Sequence, residues 1–420
     1  MQRRIFLVLA MLFAMSPAVH ARDLEASNAA KAGMSAERLE RINEMSRRYV
    51  DQGRIAGIVT MVARHGKLVH FEVAGNRGVD DDRPLKKDDL FRIYSMTKPI
   101  TAVALMQLYE QGRFHLSDPI SKFVPELAEL EVLKEDGTFE PAAPITMQQL
   151  LTHTAGFSYG FNPADPVDKL YREQAALGAK DLNEFVERLG KLPLKYAPGT
   201  RWHYSVAVDV TGLIVERLSG VPFDQYLVEN LFKPLGMVDT FFSVPDAKLD
   251  RFLPNHYWDA KATRLSTMGP ESVSSFQNVT MFSGGGGLVS TAMDYLRFAQ
   301  MLLNGGSLDG NRILSPRTID LMTLNHLPAS INGGGSGENP LTGRNQGFGF
   351  GLGFGLVTDE AASGVLGSVG EYNWGGAAGT VFWVDPQQDF VAVAMIQLMG
   401  SPWPLRSDFK VAVNQAIVGE

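Results

Sequence analysis

Apolar residues recur at helical spacing in several parts of the chain, with charged and polar residues between them. The first such segment follows Ser35, where Leu39, Ile42 and Met45 fall on one face. Ser35 is suited to cap this helix because its hydroxyl can accept a backbone N–H. The same spacing predicts further helices over 147–152, 182–189, 206–218, 223–232, 291–303 and 316–322. Most of the middle of the chain, from about 115 to 330, is therefore predicted to be helical.

Strand patterns occur near the two ends of the chain. Apolar and β-branched residues over 55–63 and 68–74, separated by a His-Gly-Lys turn, predict a hairpin. Similar runs return at 347–356, 364–369, 380–384 and 390–396, and an amphipathic helix capped by Ser407 closes the chain. We expect an α+β fold, in which one antiparallel sheet is formed from N- and C-terminal segments and flanked by helices. This α/β part covers about 30–110 and 340–420, and a mainly helical region of about 115–330 is inserted into it.

A buried helix is predicted to begin near Ser95, because an apolar run over 100–108 follows it and ends before Gly112. Ser95 and Lys98 would lie one turn apart on the same face, so the ammonium could hydrogen-bond the hydroxyl. The free backbone N–H groups at a helix start also favour a developing oxyanion. The same S-x-x-K spacing occurs at Ser407 and Lys410, where a simple capping role is expected.

The N-terminal segment and the composition argue against several classes of function. Two arginines, an apolar run over 5–15 and a small-residue ending predict a signal peptide over 1–21, cleaved after Ala21, for export to the periplasm. The apolar run is too short for a retained membrane anchor. Removing it changes the net charge from -7 to -9 (37 basic against 46 acidic residues), which disfavours nucleic acid as a partner. With no cysteine and eight scattered histidines, we expect no metal site. The remaining residues, 22–420, are predicted to form one large domain.

A second candidate nucleophile is Ser158, in the G-x-S-x-G pattern of α/β-hydrolases. That motif requires a strand before it and a helix after it, whereas a helical pattern precedes Ser158 and two prolines follow it. His203, His256 or His326 could still complete a triad in space. Two glycine-rich runs, 283–287 and 349–355, lack a phosphate-loop Lys, and the second favours a strand with one bare face.

A base is needed beside the nucleophile, and Tyr204 stands on a loop just before a predicted helix. An adjacent ammonium such as Lys98 would favour its phenolate form. The sequence alone favours a packing role for this tyrosine, since spacing does not place it beside Lys98.

Together these motifs resemble those of the serine β-lactamase-like superfamily, and more narrowly the carboxylesterases of lipolytic family VIII, which are similar to class C β-lactamases. The resemblance covers most of the chain after residue 21. It is carried by five ordered landmarks: Ser95-Met96-Thr97-Lys98, residues 150–156, Tyr204-Ser205-Val206, residues 283–288 with Asp294-Tyr295, and Trp374-Gly375-Gly376-Ala377. The expected fold is accordingly of the β-lactamase/transpeptidase type.

The resemblance implies roles for individual residues. Ser95 would be the nucleophile, Lys98 and Tyr204 the base system, and the N–H groups of Ser95 and Ala377 the oxyanion hole. It also implies that the Ser158 motif is incidental and that no cofactor takes part. The substrate-binding residues would be Trp374, Gly375, Gly376 and Val206.

Two departures from the β-lactamase pattern bear on the substrate. Val206 replaces an asparagine of the second motif, and Trp374 replaces the lysine or similar polar residue of the third. Their loss removes contacts to a substrate carboxylate of about 1.5–3 kcal/mol each. We therefore expect a small neutral carboxylic ester with a short or medium acyl chain. Two alternatives stay open: a β-lactamase or D-amino-acid-specific peptidase on the same site, and a non-catalytic penicillin-binding-protein-like receptor. The sequence gives no indication of oligomeric state.

Overall fold

The computed structural model describes residues 23–331 and 347–419. The predicted signal peptide lies outside these residues. The α-helices are α1 (Ala36–Asp51), α2 (Thr97–Glu110), α3 (Met147–Leu151), α4 (Pro166–Gln174), α5 (Leu182–Leu189), α6 (Ala207–Ser219), α7 (Phe223–Leu227), α8 (Lys233–Leu235), α9 (Glu271–Ser274), α10 (Ala292–Leu303), α11 (Pro316–Met322), α12 (Glu360–Ser363) and α13 (Leu405–Asn414). The strands are β1 (Gly57–Arg64), β2 (Lys67–Gly78), β3 (Asp81–Pro84), β4 (Phe91–Arg92), β5 (Glu131–Leu133), β6 (Phe139–Pro141), β7 (His256–Asp259), β8 (Arg264–Thr267), β9 (Val289–Ser290), β10 (Ser307–Leu308), β11 (Asn311–Arg312), β12 (Phe348–Phe350), β13 (Gly355–Val357), β14 (Tyr372–Gly375), β15 (Val381–Asp385), β16 (Phe390–Met395) and β17 (Leu398–Met399).

The expected α+β fold is confirmed: one antiparallel sheet joins the two ends of the chain. Its strand order is β12-β13-β14-β15-β16-β1-β2-β3. The C-terminal and N-terminal strands meet where β16 pairs with β1, with Thr60 opposite Ala394. Every residue of β1 and β16 is buried, because helices cover both faces of the sheet at this point.

Alternate side chains of β15 show how the two faces are covered. Trp383 packs against Phe409 of α13 with ring centroids 5.1 Å apart, in a cluster that also contains α1. The neighbouring Phe382 points to the other face and contacts Tyr295 of α10 at 4.9 Å. This second cluster continues through α2 into the helices of the inserted region. The two parts of the chain therefore share one core, and α10, although it lies in the inserted segment, packs on the sheet.

Several predicted elements are found with the expected bounds, and others differ. Ser35 caps α1, accepting the Arg38 N–H at 3.2 Å, and α5 and α11 span the predicted residues. The inserted region is not purely helical, because it also contains short strand pairs such as β5 with β6 and β7 with β8. The prediction that Ser407 caps the closing helix was wrong, since α13 begins at Leu405 and Ser407 lies within its first turn.

The C-terminal half of the sheet was partly mispredicted. The glycine-rich run over 347–356 forms two short strands, β12 and β13, because Gly353 adopts a φ of 93° and turns the chain. No strand occurs over 364–369, where a loop follows α12. Strand β14 was missed because its four residues are all buried, so that they show no alternation of polar and apolar residues.

Across residues 23–331 and 347–419, the helices are too short or too polar to cross a lipid bilayer.

Candidate active site

Ser95 lies in a 3-10 turn, Tyr94–Met96, that leads directly into α2. The preceding residue, Tyr94, has a φ of 43°, a left-handed conformation that is costly for a side chain of this size. Tyr94 is held there by a 3.0 Å hydrogen bond from the Asn255 amide to its hydroxyl. The Ile93 N–H also bonds to Leu288 O at 3.1 Å. The strained turn is therefore anchored from two sides, and Ser95 is left on the wall of a cavity.

The three residues predicted as catalytic come together at this point. The Tyr204 hydroxyl lies 2.6 Å from Ser95 Oγ, and Lys98 Nζ lies 3.3 Å from the same atom. Lys98 Nζ is also 4.4 Å from the centroid of the Tyr204 ring and donates a 2.6 Å hydrogen bond to Gly285 O. Lys98 is 1% exposed. The serine hydroxyl thus has both a phenol and a buried ammonium within hydrogen-bonding distance.

An aromatic cluster fixes the position of Tyr204. Its ring lies 5.6 Å from Trp374 and 4.8 Å from the imidazole of His153, centroid to centroid. His153 Nδ1 accepts the Ser205 N–H at 3.3 Å, which fixes the backbone next to Tyr204. Burial lowers the pKa of His153 well below its usual value, and the Lys98 charge lowers it further, so the ring stays neutral and can accept this bond. Sequence reasoning recognised the 150–156 motif but gave His153 no role.

The predicted oxyanion segment is a turn that follows β14. The Gly376 N–H bonds to Thr380 O at 2.9 Å, and the Gly379 N–H bonds to Gly376 O at 3.0 Å. The turn packs on the backbone beside the nucleophile, because a Cβ on Gly376 would lie 2.4 Å from Ile93 O. Ala377, at the tip of the turn, lines the same cavity as Ser95. Ser95 and Ala377 therefore line the same cavity, and their role as oxyanion donors stays a prediction.

Arg406, which the sequence analysis missed, holds this turn from α13. Its Nη2 donates to Gly376 O and, at 3.1 Å, to Thr380 O. Burial lowers the pKa of Arg406 to about 10, opposed by the nearby Tyr204, so the guanidinium remains charged at neutral pH. The only signal available in the sequence was a basic residue inside an otherwise amphipathic helix, which normally indicates a solvated face.

The cavity beside Ser95 has a volume of about 530 Å³ and a largely aromatic wall. Phe161, Trp202, Trp374 and Trp403 line it, together with the backbone of Gly375 and Gly376. Phe161 is 74% exposed, which places it at the mouth of the cavity. Of the predicted substrate-binding residues, Trp374, Gly375 and Gly376 therefore line the cavity.

Val206 does not line the described cavity. It is 2% exposed and belongs to the hydrophobic core at the start of α6, where its side chain packs inward. The predicted substrate contact of Val206 is therefore not reflected in the cavity wall. Residues 23–331 and 347–419 likewise contain no group of three or more His, Asp or Glu side chains arranged to hold a metal ion.

The rival nucleophile Ser158 is placed differently from Ser95. It is 1% exposed, and its hydroxyl donates directly to Asp168 Oδ1. His203 Nε2 lies 3.4 Å from the same hydroxyl, but the carboxylate of Asp168 is bonded to Ser158, to the Asn162 N–H and to Lys195 at 3.0 Å rather than to the histidine ring. The Ser-to-His-to-Asp relay of a triad is therefore absent from this cluster of described residues, and Ser158 is not among the residues that line the cavity.

Known proteins are similar to this chain over most of its length. The family model described as Beta-lactamase matches residues 42–417. Protein Rv1367c of Mycobacterium tuberculosis is 39% identical over 368 residues, covering 84% of this chain and 89% of the relative. Esterase EstB of Burkholderia gladioli is 32% identical over 372 residues, covering 84% of this chain and 88% of EstB. The structure of EstCE1, described as a hydrolase with promiscuous acyltransferase activity, has a TM-score of 0.77, 26% identity and coverage of 91% and 99%. The chain belongs to the beta-lactamase family.

Proposed function

We propose that the chain is a serine carboxylesterase of the family VIII type, acting on neutral esters through a Ser95 acyl-enzyme. The observation that carries this proposal is the convergence of Tyr204 at 2.6 Å and Lys98 at 3.3 Å on Ser95 Oγ, at the wall of an open cavity. The similarity to proteins named as esterases supports the same chemistry.

The reaction begins with transfer of the Ser95 proton to the Tyr204 oxygen, which the Lys98 ammonium helps to keep in its phenolate form. Ser95 Oγ then forms a bond to the ester carbonyl carbon. The resulting oxyanion accepts hydrogen bonds from the N–H groups of Ser95 and Ala377, which are fixed before the substrate arrives. Tyr204 returns its proton to the leaving alcohol as the C–O bond breaks, and water releases the acid by the reverse sequence.

The substrate is a neutral ester because the cavity wall offers little to a carboxylate. Trp374 presents an apolar ring where the β-lactamase pattern has a cation. The charge nearby belongs to Arg406, whose Nη2 already donates to two backbone carbonyls. An anionic group on the substrate would exchange water for aromatic surface and for a guanidinium that is already hydrogen-bonded to the oxyanion turn, which is unfavourable. The proposed partner is accordingly a small uncharged ester, and nucleic acid is not a partner.

Replacement of Ser95 by alanine tests the function directly. We expect Ser95→Ala to abolish hydrolysis of p-nitrophenyl butyrate and labelling by a fluorophosphonate, while Ser158→Ala retains both. Activity remaining in Ser95→Ala would refute the assignment, and loss of activity only in Ser158→Ala would transfer it to the second serine.

A second candidate activity is acyl transfer to an alcohol, which the description of EstCE1 favours. The cavity of about 530 Å³ has room for an acceptor beside a short acyl group. Adding an alcohol such as butanol to the p-nitrophenyl butyrate assay should then produce butyl butyrate. Formation of butyric acid alone would exclude it.

The peptidase and β-lactamase alternatives predict turnover of a D-Ala-D-Ala peptide or of nitrocefin. We expect neither, because Trp374 stands in place of the carboxylate-binding cation. Labelling by the fluorophosphonate would in turn exclude a non-catalytic receptor.

We also propose that residues 1–21 form a signal peptide and that the enzyme acts in the periplasm without a retained anchor. The basic start, short apolar run and small residues before Ala21 support this. N-terminal sequencing of the protein recovered from a periplasmic extract should begin at Arg22, and an intact N-terminus would refute it.

A further inference from the structure

The proposed mechanism leaves a buried carboxylate unused beside the active site. Asp209 is 0% exposed and lies in the first turn of α6, the helix that packs against α2. Its Oδ1 accepts a 2.5 Å hydrogen bond from the Ser283 hydroxyl and a 3.0 Å hydrogen bond from the Gly285 N–H. Both donors belong to the glycine-rich turn over 283–287, so Asp209 anchors that turn.

The opposite side of the same turn holds Lys98. Gly285 O accepts the 2.6 Å hydrogen bond from Lys98 Nζ, while the N–H of the same residue donates to Asp209. Two further bonds tie the turn to α2: the Thr101 hydroxyl donates to Gly284 O at 2.8 Å, and the Leu288 N–H donates to Thr97 Oγ1 at 3.1 Å. One residue, Gly285, therefore links the buried carboxylate to the buried ammonium.

The position above Gly285 admits no side chain. A Cβ there would lie 2.5 Å from Asp209 Oδ2 and 2.7 Å from the Tyr159 hydroxyl oxygen. The glycine-rich sequence, which could have suggested a phosphate loop, instead lets the carboxylate and the phenol close over this turn. The space next to Gly285 is therefore filled by the Asp209 carboxylate and the Tyr159 hydroxyl, which leaves no room for a ligand there.

The charges of Lys98 and Asp209 also favour each other electrostatically. Within residues 23–331 and 347–419, the buried Lys98 ammonium makes its hydrogen bonds to Gly285 O and Ser95 Oγ rather than to a carboxylate. Burial raises the pKa of Asp209, whereas the Lys98 charge and the bonds from Ser283 and Gly285 oppose that rise. An isolated buried ammonium is strongly unfavourable, so the attraction between Lys98 and Asp209 that opposes the rise in the Asp209 pKa also favours the charged form of Lys98.

We propose that Asp209 is a positioning residue for the acyl transfer: it is the counter-ion of Lys98 and anchors the turn whose carbonyl holds that ammonium beside Ser95. This inference rests on the proposed function, since the ammonium matters only if Ser95 and Tyr204 react. During the reaction the serine proton moves to the Tyr204 oxygen, and Lys98 keeps its three protons throughout. Asp209 acts through Lys98 and does not touch the substrate.

The other titratable groups around this pair are Tyr159, Tyr204 and His153. Burial raises the pKa of Tyr159 well above its usual value, and the negative charges of Asp209 and Tyr204 raise it further, so Tyr159 stays a neutral phenol. His153 stays neutral because burial lowers its pKa. The charge balance at the site is therefore set by Lys98, Asp209 and Tyr204.

The test is Asp209→Asn, which keeps the shape and an acceptor oxygen but removes the charge. We expect kcat for p-nitrophenyl butyrate to fall about 10- to 100-fold, with KM changing little, because the base system is displaced while the cavity is intact. The alkaline limb of the kcat/KM profile should move to lower pH, because the variant removes a negative charge from the base system. A merely structural role for Asp209 would not move this limb.

Two further variants separate charge from geometry. Ser283→Ala removes one bond to Asp209 without changing any charge, so we expect a smaller loss of kcat and an unmoved alkaline limb. Asp294→Asn makes the same chemical change at a buried carboxylate that bonds to Thr240 at 2.9 Å and to the Asp239 N–H at 2.7 Å. It should leave both kcat and the pH profile unchanged.

The outcomes are distinct. Wild-type kcat in Asp209→Asn, or a loss of kcat with an unmoved alkaline limb, overturns the proposal. If Asp209→Asn fails to fold, wild-type kcat in Ser283→Ala overturns the anchoring role. If Ser95→Ala keeps its activity, the proposed function itself fails; if Ser95→Ala is inactive and Asp209→Asn is normal, only this inference fails.

Discussion

Removal of one oxygen atom tests the proposed base. Tyr204→Phe deletes the hydroxyl that lies 2.6 Å from Ser95 Oγ but keeps the ring, so the packing against Trp374 and His153 is preserved. General-base catalysis contributes about 10²- to 10⁴-fold, which corresponds to about 2.7–5.4 kcal/mol of activation free energy. We expect the lower half of this range, because the Lys98 ammonium, 3.3 Å from Ser95 Oγ, still stabilises negative charge on that oxygen in the variant.

The assay is the pre-steady-state release of p-nitrophenol from p-nitrophenyl butyrate, together with the rate of fluorophosphonate labelling. Both rates should fall in Tyr204→Phe, while KM stays nearly constant because the cavity wall is unchanged. Tyr226→Phe makes the same change at another buried tyrosine, in α7, and should behave as wild type. If Tyr204→Phe retained more than about one-tenth of the wild-type rate, the phenol could not be the principal base.

Three other expectations follow from the same contacts. Ser158→Ala should keep wild-type kcat but lower the free energy of unfolding by about 1–3 kcal/mol in urea, because buried Asp168 loses a hydrogen-bond donor. Arg406→Lys should lower kcat/KM about 10²-fold, since an ammonium cannot reproduce the planar guanidinium that holds the oxyanion turn. The affinity for a boronic-acid analogue of the tetrahedral intermediate should fall by the same factor, and unequal losses would contradict that role. Burial raises the pKa of the Asp294 carboxyl to about 7, so the stability gained by keeping it protonated is complete below pH 4 and is lost as pH rises through 7. The free energy of unfolding in urea should therefore differ less between pH 5 and pH 8 in Asp294→Asn than in wild type.

The active site shows which contacts can be predicted from the spacing of residues along the chain and which cannot. The contact between Ser95 and Lys98 follows from their separation of three residues at a helix start, so the sequence predicted it. Tyr204 was a candidate only, because 109 residues separate it from Ser95 and the sequence by itself favoured a packing role. Its ring does pack, against Trp374 and His153, and that packing is what aims its hydroxyl at Ser95. Arg406 and Asp209 gave no usable signal, since an arginine or aspartate in an amphipathic helix normally faces water.

The sequence by itself determined the elements whose periodicity is local: α1, α5, α11, the hairpin of β1 and β2, and the helix that begins just after Ser95 and carries Lys98. It also predicted the fold class, because strand patterns at both ends indicate one sheet formed from the two ends. Only the tertiary structure decided the split of the 347–356 run, the buried strand β14 and the burial of Val206. It also brought the oxyanion turn, the 283–287 turn and Tyr204 to one serine. The physical reason is that these features depend on packing between segments far apart in the chain, and side-chain spacing along one segment carries no information about its distant neighbours.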